Sequence, residues 1–299
     1  MGGVVRNIIK VVVPKPIRDM LRTAIPEPFR RQFYLAQSAR RLRKIYFGNQ
    51  LRMIKPLVFR TRETHNFTYD LTETNLRYLE EVIAVVTGKT PSQIGGFIQE
   101  AINDRELRAY FDNKMALYDG QKTSSNVSSP FGRRLGWYAI ARATKPRLIV
   151  ETGVERGHGA LLLCAALLRN GEEGAPGGYL GTDIDPTAGY LLSGKYRAVG
   201  NILYGDSISR LKLIADPIDL FINDSDHSAD YEAEEYKAIA SKLSANAVVL
   251  GDNAHVTDKL ARFSREADRS FLMFKEQPKD HWYPGAGIGI SFPRKAGGQ

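Results

Sequence analysis

Residues 219–227 read DLFINDSDH. A run of apolar, β-favouring types ends abruptly in Asp224, Asp226 and His227. Residues 247–255, AVVLGDNAH, repeat the pattern and end in Asp252, Asn253 and His255. Carboxylates at the end of a buried strand are costly unless something binds them. If the two strands are neighbours, Asp224, Asp252 and the Asn253 amide form a hard, all-oxygen donor set. Such a set suits Mg²⁺, Mn²⁺ or Ca²⁺, with the remaining positions left to water and a substrate oxygen. A metal-bound hydroxyl loses its proton more readily, and an imidazole can collect that proton. Plainer roles stand beside these. Asp224 could close a pocket by hydrogen bonding without a metal, and Asp226 could cap a helix starting near 229. His227 could orient a substrate rather than act as base.

A second chemical feature lies upstream, in VETGVERGHGALLL (150–163). Gly153, Gly157 and Gly159 allow a tight turn and close approach of a ligand to the backbone. The spacing is not G-x-G-x-x-G, and Glu151 and Glu155 would sit badly beside a pyrophosphate. GKT at 88–90 lacks the earlier glycine of a phosphate loop, because Ile83 stands there; it reads as a helix stop followed by an N-cap. An acidic glycine turn suits a cationic ligand without phosphates. His158 reads as a helix-start residue lining the pocket.

These motifs resemble class I S-adenosylmethionine-dependent methyltransferases. VETGVERGHG is similar to the family's first motif, in the E-x-G-x-x-x-G form of O-methyltransferases. The resemblance implies S-adenosylmethionine as cofactor, held by Glu151, Gly153, Gly157, Gly159, Asp183, Asp206 and Ser207. Asp183, in GTDIDP, falls where the family's acid takes both ribose hydroxyls, and Asp206 and Ser207, in YGDS, flank the adenine. DSD and GDN resemble the divalent-metal site of catechol-type and caffeoyl-CoA-type O-methyltransferases, which implies Asp224, Asp252 and Asn253 as ligands, with Mg²⁺ the expected ion. DSDH also resembles metal-dependent sugar O-methyltransferases, in which a histidine matching His227 is the general base; the caffeoyl-CoA type has lysine there. The expected activity is O-methylation of a hydroxyl on a small molecule or sugar, possible glycolipids and natural-product glycosides included.

The elements that position these residues follow from periodicity. Strands are predicted at 147–152, 179–184, 201–205, 219–223, 247–251, 270–276 and 287–292. Helices are predicted at 131–144, 158–170, 187–198, 207–213, 229–243 and 256–267. This alternation predicts an α/β fold: a Rossmann-like, doubly wound, mostly parallel seven-stranded sheet with an antiparallel last strand. Ligands of such sheets bind at the carboxyl ends of the strands, where every polar cluster above falls. His281, Trp282 and Tyr283 join the last two strands and could wall the acceptor site or simply cover the hairpin.

Upstream, residues 61–130 predict a helical cap, with 119–130 a polar loop able to act as a flap. Thr90 and Pro91 suit a helix start. Residues 1–60 predict short helices between prolines. They carry 14 Lys or Arg against two acids, hence +12 of a net +9, leaving −3 for the remainder. That asymmetry points to an anionic surface: a peripheral membrane contact, an oligomer contact or, as an alternative function, nucleic-acid methylation or binding. No nucleic-acid module is recognisable. Lone Cys164 excludes an internal disulfide and, with no signal or spanning segment, suggests a reducing, cytoplasmic setting. The expected domains are 1–60, 61–130 and 131–299.

Overall fold

The computed structural model describes residues 26–55, 66–119, 129–252 and 254–294. The chain divides into two compact units, Met1–Val58 and Phe59–Gln299. In the first unit, helix α1 (Glu27–Ile54) starts behind Pro26 and carries Pro28 in its first turn, where a missing N–H is tolerated. Its Phe29, Tyr34, Leu35, Leu42, Ile45, Tyr46 and Phe47 are exposed. Among the described residues no helix is long and apolar enough to cross a membrane.

The second unit opens with three helices: α2 (Glu73–Thr87), α3 (Pro91–Asn103) and α4 (Arg105–Asp119). The Thr72 side chain caps α2, and Gly88 ends it in the left-handed region. Thr90 and Gln93 form a capping box on α3, with Pro91 in the first turn, so two otherwise orphaned donors are satisfied reciprocally. Leu79, Ile83, Ile94 and Ile98 point from these helices into the core. Helix α5 (Arg134–Thr144) then leads into the sheet.

The strands are β1 (Leu148–Thr152), β2 (Gly178–Asp183), β3 (Gly200–Tyr204), β4 (Ile218–Asn223), β5 (Leu243–Asp252), β6 (Arg269–Lys275) and β7 (Gly287–Pro293). They form one seven-stranded sheet in the order β3-β2-β1-β4-β5-β7-β6. β1 to β5 pair in parallel, and β7 is antiparallel to both neighbours. This is the Rossmann-like fold expected from the alternation. Both faces are covered: Ile149, Leu220, Ile222, Val248 and Leu250 pack in one core, and Val150, Phe221 and Val249 in the other. That period of two is why these strands read as continuous apolar runs. Helices α6 (His158–Glu172), α7 (Ser207–Lys212), α8 (Ala229–Ile239) and α9 (Lys259–Glu266) supply the layers.

Two details bear on the site. The helix expected at 187–198 forms only as a 3₁₀ turn at Gly194–Ala198, because Gly189 and Gly194 take positive φ and interrupt it. The stretch leading into α2 is fastened to the end of β6. Thr72 N donates to Gln277 O at 3.0 Å, Lys279 N to Asp70 O at 2.7 Å, and the Asn75 amide to Lys275 O at 2.9 Å. Helices α2 to α4 thereby share one core with the sheet. The flap expected at 119–130 falls mostly outside the described residues.

Candidate active site

The strand order reverses between β1 and β4, and there the chain exits of both strands touch. Asp224 N donates to Thr152 O at 2.9 Å, and Gly153 N to Thr182 O at 2.9 Å. Gly153 sits at φ +79°, and a Cβ there would lie 2.1 Å from the Asp224 carbonyl oxygen. Only glycine permits this approach. The turn continues through Glu155, whose N–H donates to Asp183 Oδ2 at 2.8 Å, while Asp185 N donates to Oδ1 at 2.9 Å. Asp183 is thus aimed by the glycine turn itself. Asp206 caps α7 through Ser209 N and accepts from the Tyr231 hydroxyl at 2.9 Å; these bonds hold its carboxyl below the usual range.

Asp183, Asp206, Ser207, Gly153 and Asp224 line a cavity of about 460 Å³. A second, of about 240 Å³, shares Gly153, Glu155 and Asp224 with it and is also lined by Glu151, Gly159, Arg134 and His158. Gly157 lines neither: it stands at φ +91° as the N-cap of α6. The Ser207 hydroxyl points inward, bonding Glu235 and Tyr231. A larger cleft, about 700 Å³, lies by Arg147, Gly178 and Asn201, away from every candidate residue.

Beneath the second cavity lies a network that sequence reasoning missed. The guanidinium of Arg133 grips Asp252 with Nε and Nη2, a bidentate pair, and its Nη1 donates to the Tyr69 hydroxyl at 2.6 Å. Tyr69 donates to Glu276 Oε2 at 2.7 Å, and Ala286 N donates to Glu276 Oε1 at 2.7 Å. Arg133, Asp252, Glu276 and Tyr69 are all buried. His281 and Tyr283 cover the Tyr69 ring, with centroids at 5.4 and 5.7 Å. The hairpin aromatics therefore roof this network.

Charge settles unevenly in the site. Burial alone would raise Asp252, but the Arg133 guanidinium outweighs it and holds that carboxyl low. Asp224 is pushed well above its ordinary value, by burial and then by the charge of Asp252. Glu151 rises to about 8 through burial, against the Tyr179 hydroxyl that donates to it at 2.7 Å. Four carboxyl groups thus meet two guanidiniums, Arg133 and Arg134, and burial disfavours the charged forms of Asp224 and Glu151.

The described residues do not show the expected metal set. A divalent ion would have to share Asp252 with Arg133, which donates to both of its oxygens. Asp224 Oδ2 faces Arg134 Nη2 at 3.7 Å. Among the described residues no three His, Cys, Asp or Glu side chains gather as a metal cluster. Asn253 lies outside the described residues. An arginine 119 positions from Asp252 is invisible to a reading of strand ends.

His227 stands at the rim, its side chain 41% exposed, with Nε2 4.0 Å from Asp224 Oδ1. Asp226 accepts from Ser228 N at 2.7 Å, which turns the chain into α8. His255 is exposed. Glu235 was also missed: wholly buried on α8, it accepts from Thr152, Ser207, Asn223 and Ser225 and ties β1, α7 and β4 together. Its signal was a carboxylate on the apolar face of a helix, next to Tyr236 and Ile239.

Residues 150–254 match a family described as a methyltransferase domain. The expected resemblance to class I S-adenosylmethionine-dependent methyltransferases holds over that segment, which contains all the candidate cofactor residues. No curated protein matches the sequence. Similar solved structures include a Podospora anserina methyltransferase with bound S-adenosylhomocysteine (16% identity, 64% of this chain and 88% of that one, TM-score 0.44). Others are an O-methyltransferase from Bacillus cereus in complex with S-adenosylhomocysteine (12%, 64% and 92%, 0.45), and one from Streptomyces achromogenes involved in tomaymycin synthesis (14%, 64% and 91%, 0.45).

Proposed function

We propose that this chain transfers the methyl group of S-adenosylmethionine to a hydroxyl oxygen of a small molecule or sugar. One observation carries the reading: a glycine turn that aims Asp183 and opens onto Asp206 opens equally onto Asp224, beside which His227 stands. Asp183 supplies two acceptor oxygens for a ribose diol, and the Asp206 carboxylate borders the neighbouring space. When bound, the cofactor supplies a methyl carbon on a sulfonium, open to in-line displacement. His227, whose Nε2 lies 4.0 Å from Asp224 Oδ1, receives the acceptor's proton. No step runs through a metal.

Two measurements test this. Isothermal calorimetry with S-adenosylhomocysteine should give binding to the wild type that weakens at least about tenfold in Asp183→Ala, which loses charge-assisted acceptors. Unchanged affinity in the variant would count against the cofactor assignment. Once an acceptor is found among glycosides and phenols, turnover should persist in excess chelator, because Arg133 holds Asp252. Loss of turnover with recovery on adding Mg²⁺ would restore the metal reading.

A further inference from the structure

Helix α1 (Glu27–Ile54) is not used by the proposed transfer. In one run of 28 residues it carries seven Lys or Arg against a single acid, Glu27. It also exposes Phe29, Leu35, Leu42, Ile45, Tyr46 and Phe47, each between 51% and 65%. Exposed apolar side chains need no explanation when scattered singly, but these are ordered. At about 3.6 residues per turn, Leu35, Ala39, Leu42 and Tyr46 share one stripe, and Phe29, Phe47 and Ile54 lie together on one side of it. Arg31 and Arg40 border this apolar arc on its two sides, Arg43 stands within it, and Arg41 and Lys44 lie behind.

Two partners fit this pattern badly. A second copy of α1 would bring the same cations against the first, with only Glu27 to offset them, and like charges facing one another repel. A nucleic acid would answer the cations but offers no apolar medium to Leu35, Leu42 and Ile45; single-strand binders stack bases on aromatic rings, not on an aliphatic stripe. Among the described residues no helix is apolar enough to cross a membrane. The surface of an anionic bilayer answers both halves of the pattern. Its acyl boundary takes the apolar arc, and its headgroups take the cations. We infer that α1 lies flat in the headgroup layer of an anionic lipid bilayer, with Leu35, Leu42, Tyr46 and Phe47 turned towards the acyl chains. Arg31 and Arg40 meet the headgroups at the two margins, and Arg43 reaches them by laying its aliphatic stem along the apolar arc. Arg41 and Lys44 face the water. The other basic residues of 1–60, which is +12 in all, add to the same attraction. The inference is independent of the cofactor reading.

The test is co-sedimentation of the full chain with vesicles of phosphatidylcholine alone, or of phosphatidylcholine with an equal part of phosphatidylserine. The wild type should bind the mixed vesicles and bind phosphatidylcholine weakly, and the preference should fade as salt rises. Arg40→Gln with Arg43→Gln should weaken binding to mixed vesicles about 10- to 30-fold, the effect of two cations near a charged surface. Leu42→Gln with Tyr46→Gln should weaken it about tenfold or more, because that apolar area no longer leaves water. All four side chains are exposed, so both variants should melt with the wild type. A lower midpoint in the Leu42 and Tyr46 variant would show the stripe packed within the fold and overturn the inference. Absent binding to mixed vesicles, or equal binding to the two vesicle types, also overturns it. Polyuridylate bound as tightly as mixed vesicles, with no loss of either in the Leu42 and Tyr46 variant, would make α1 a nucleic-acid surface instead. A dimer in sedimentation velocity that the same variant dissolves would make it a contact between copies.

Discussion

Arg133→Ala should destabilise the second unit by about 3–5 kcal/mol, the usual cost of removing one partner of a buried ion pair. The residue is fully enclosed, and its guanidinium is the counter-charge for Asp252 and Glu276. Its removal leaves Asp252 without its guanidinium and the Tyr69 hydroxyl without its donor, while Glu276 loses a counter-charge but keeps the donors of Tyr69 and Ala286. In a unit of this size each kcal/mol moves the midpoint by roughly 2–4 °C, so thermal unfolding should shift by roughly 6–20 °C. The double variant Arg133→Met with Asp252→Leu should recover much of the loss, because an apolar pair of similar volume needs no charge balance. A single variant that melts with the wild type would show that the pair is not formed. A double variant no better than the single would place the loss in packing instead.

His227→Ala should lower turnover by about 10²–10⁴, the range commonly lost with a general base. It should change S-adenosylhomocysteine affinity by no more than a few-fold, since the side chain lies outside the cavity of Asp183 and Asp206 and borders only the smaller one. The loss should fall on kcat rather than KM, and His227→Gln, which keeps a polar side chain but cannot take the proton, should not rescue it. Full turnover in both variants would reduce His227 to a residue of the rim. Rescue by glutamine would make it a hydrogen-bonding contact to the acceptor.

The parallel sheet was legible because its strands are buried on both faces, so LIVET and DLFIN carry uninterrupted apolar runs closed by polar residues. The residues at those strand ends were legible for the same reason, since chain order alone puts Gly153, Asp183, Asp206, Asp224 and Asp252 on one edge. What those carboxylates bind was not. A buried arginine looks in sequence like any solvated charge on a helix: Arg133 and Arg134 sit in FGRRLGWY with nothing to mark that both turn inward. The arginine that pairs with Asp252 is thus set by tertiary packing, which a reading of strand ends cannot show. The connection between β2 and β3 was misread as a helix for a local reason, because its two positive-φ glycines are compatible with helical periodicity but not with helical backbone.

The fastening of α2 to β6 has a consequence for synthesis. Asn75 bonds Lys275 across 200 residues, and Tyr69 bonds Glu276 across 207. Helices α2 to α4 therefore leave the ribosome long before the strand edge that receives them exists. Contacts of such separation carry a large closure entropy and form late. Until then the Leu79 and Ile83 face of α2 has no sheet to bury against, and the polar floor beneath the cavity has only one of its walls. Catalytic competence is therefore acquired with the last strands, after every motif that marks this chain in sequence has already been made.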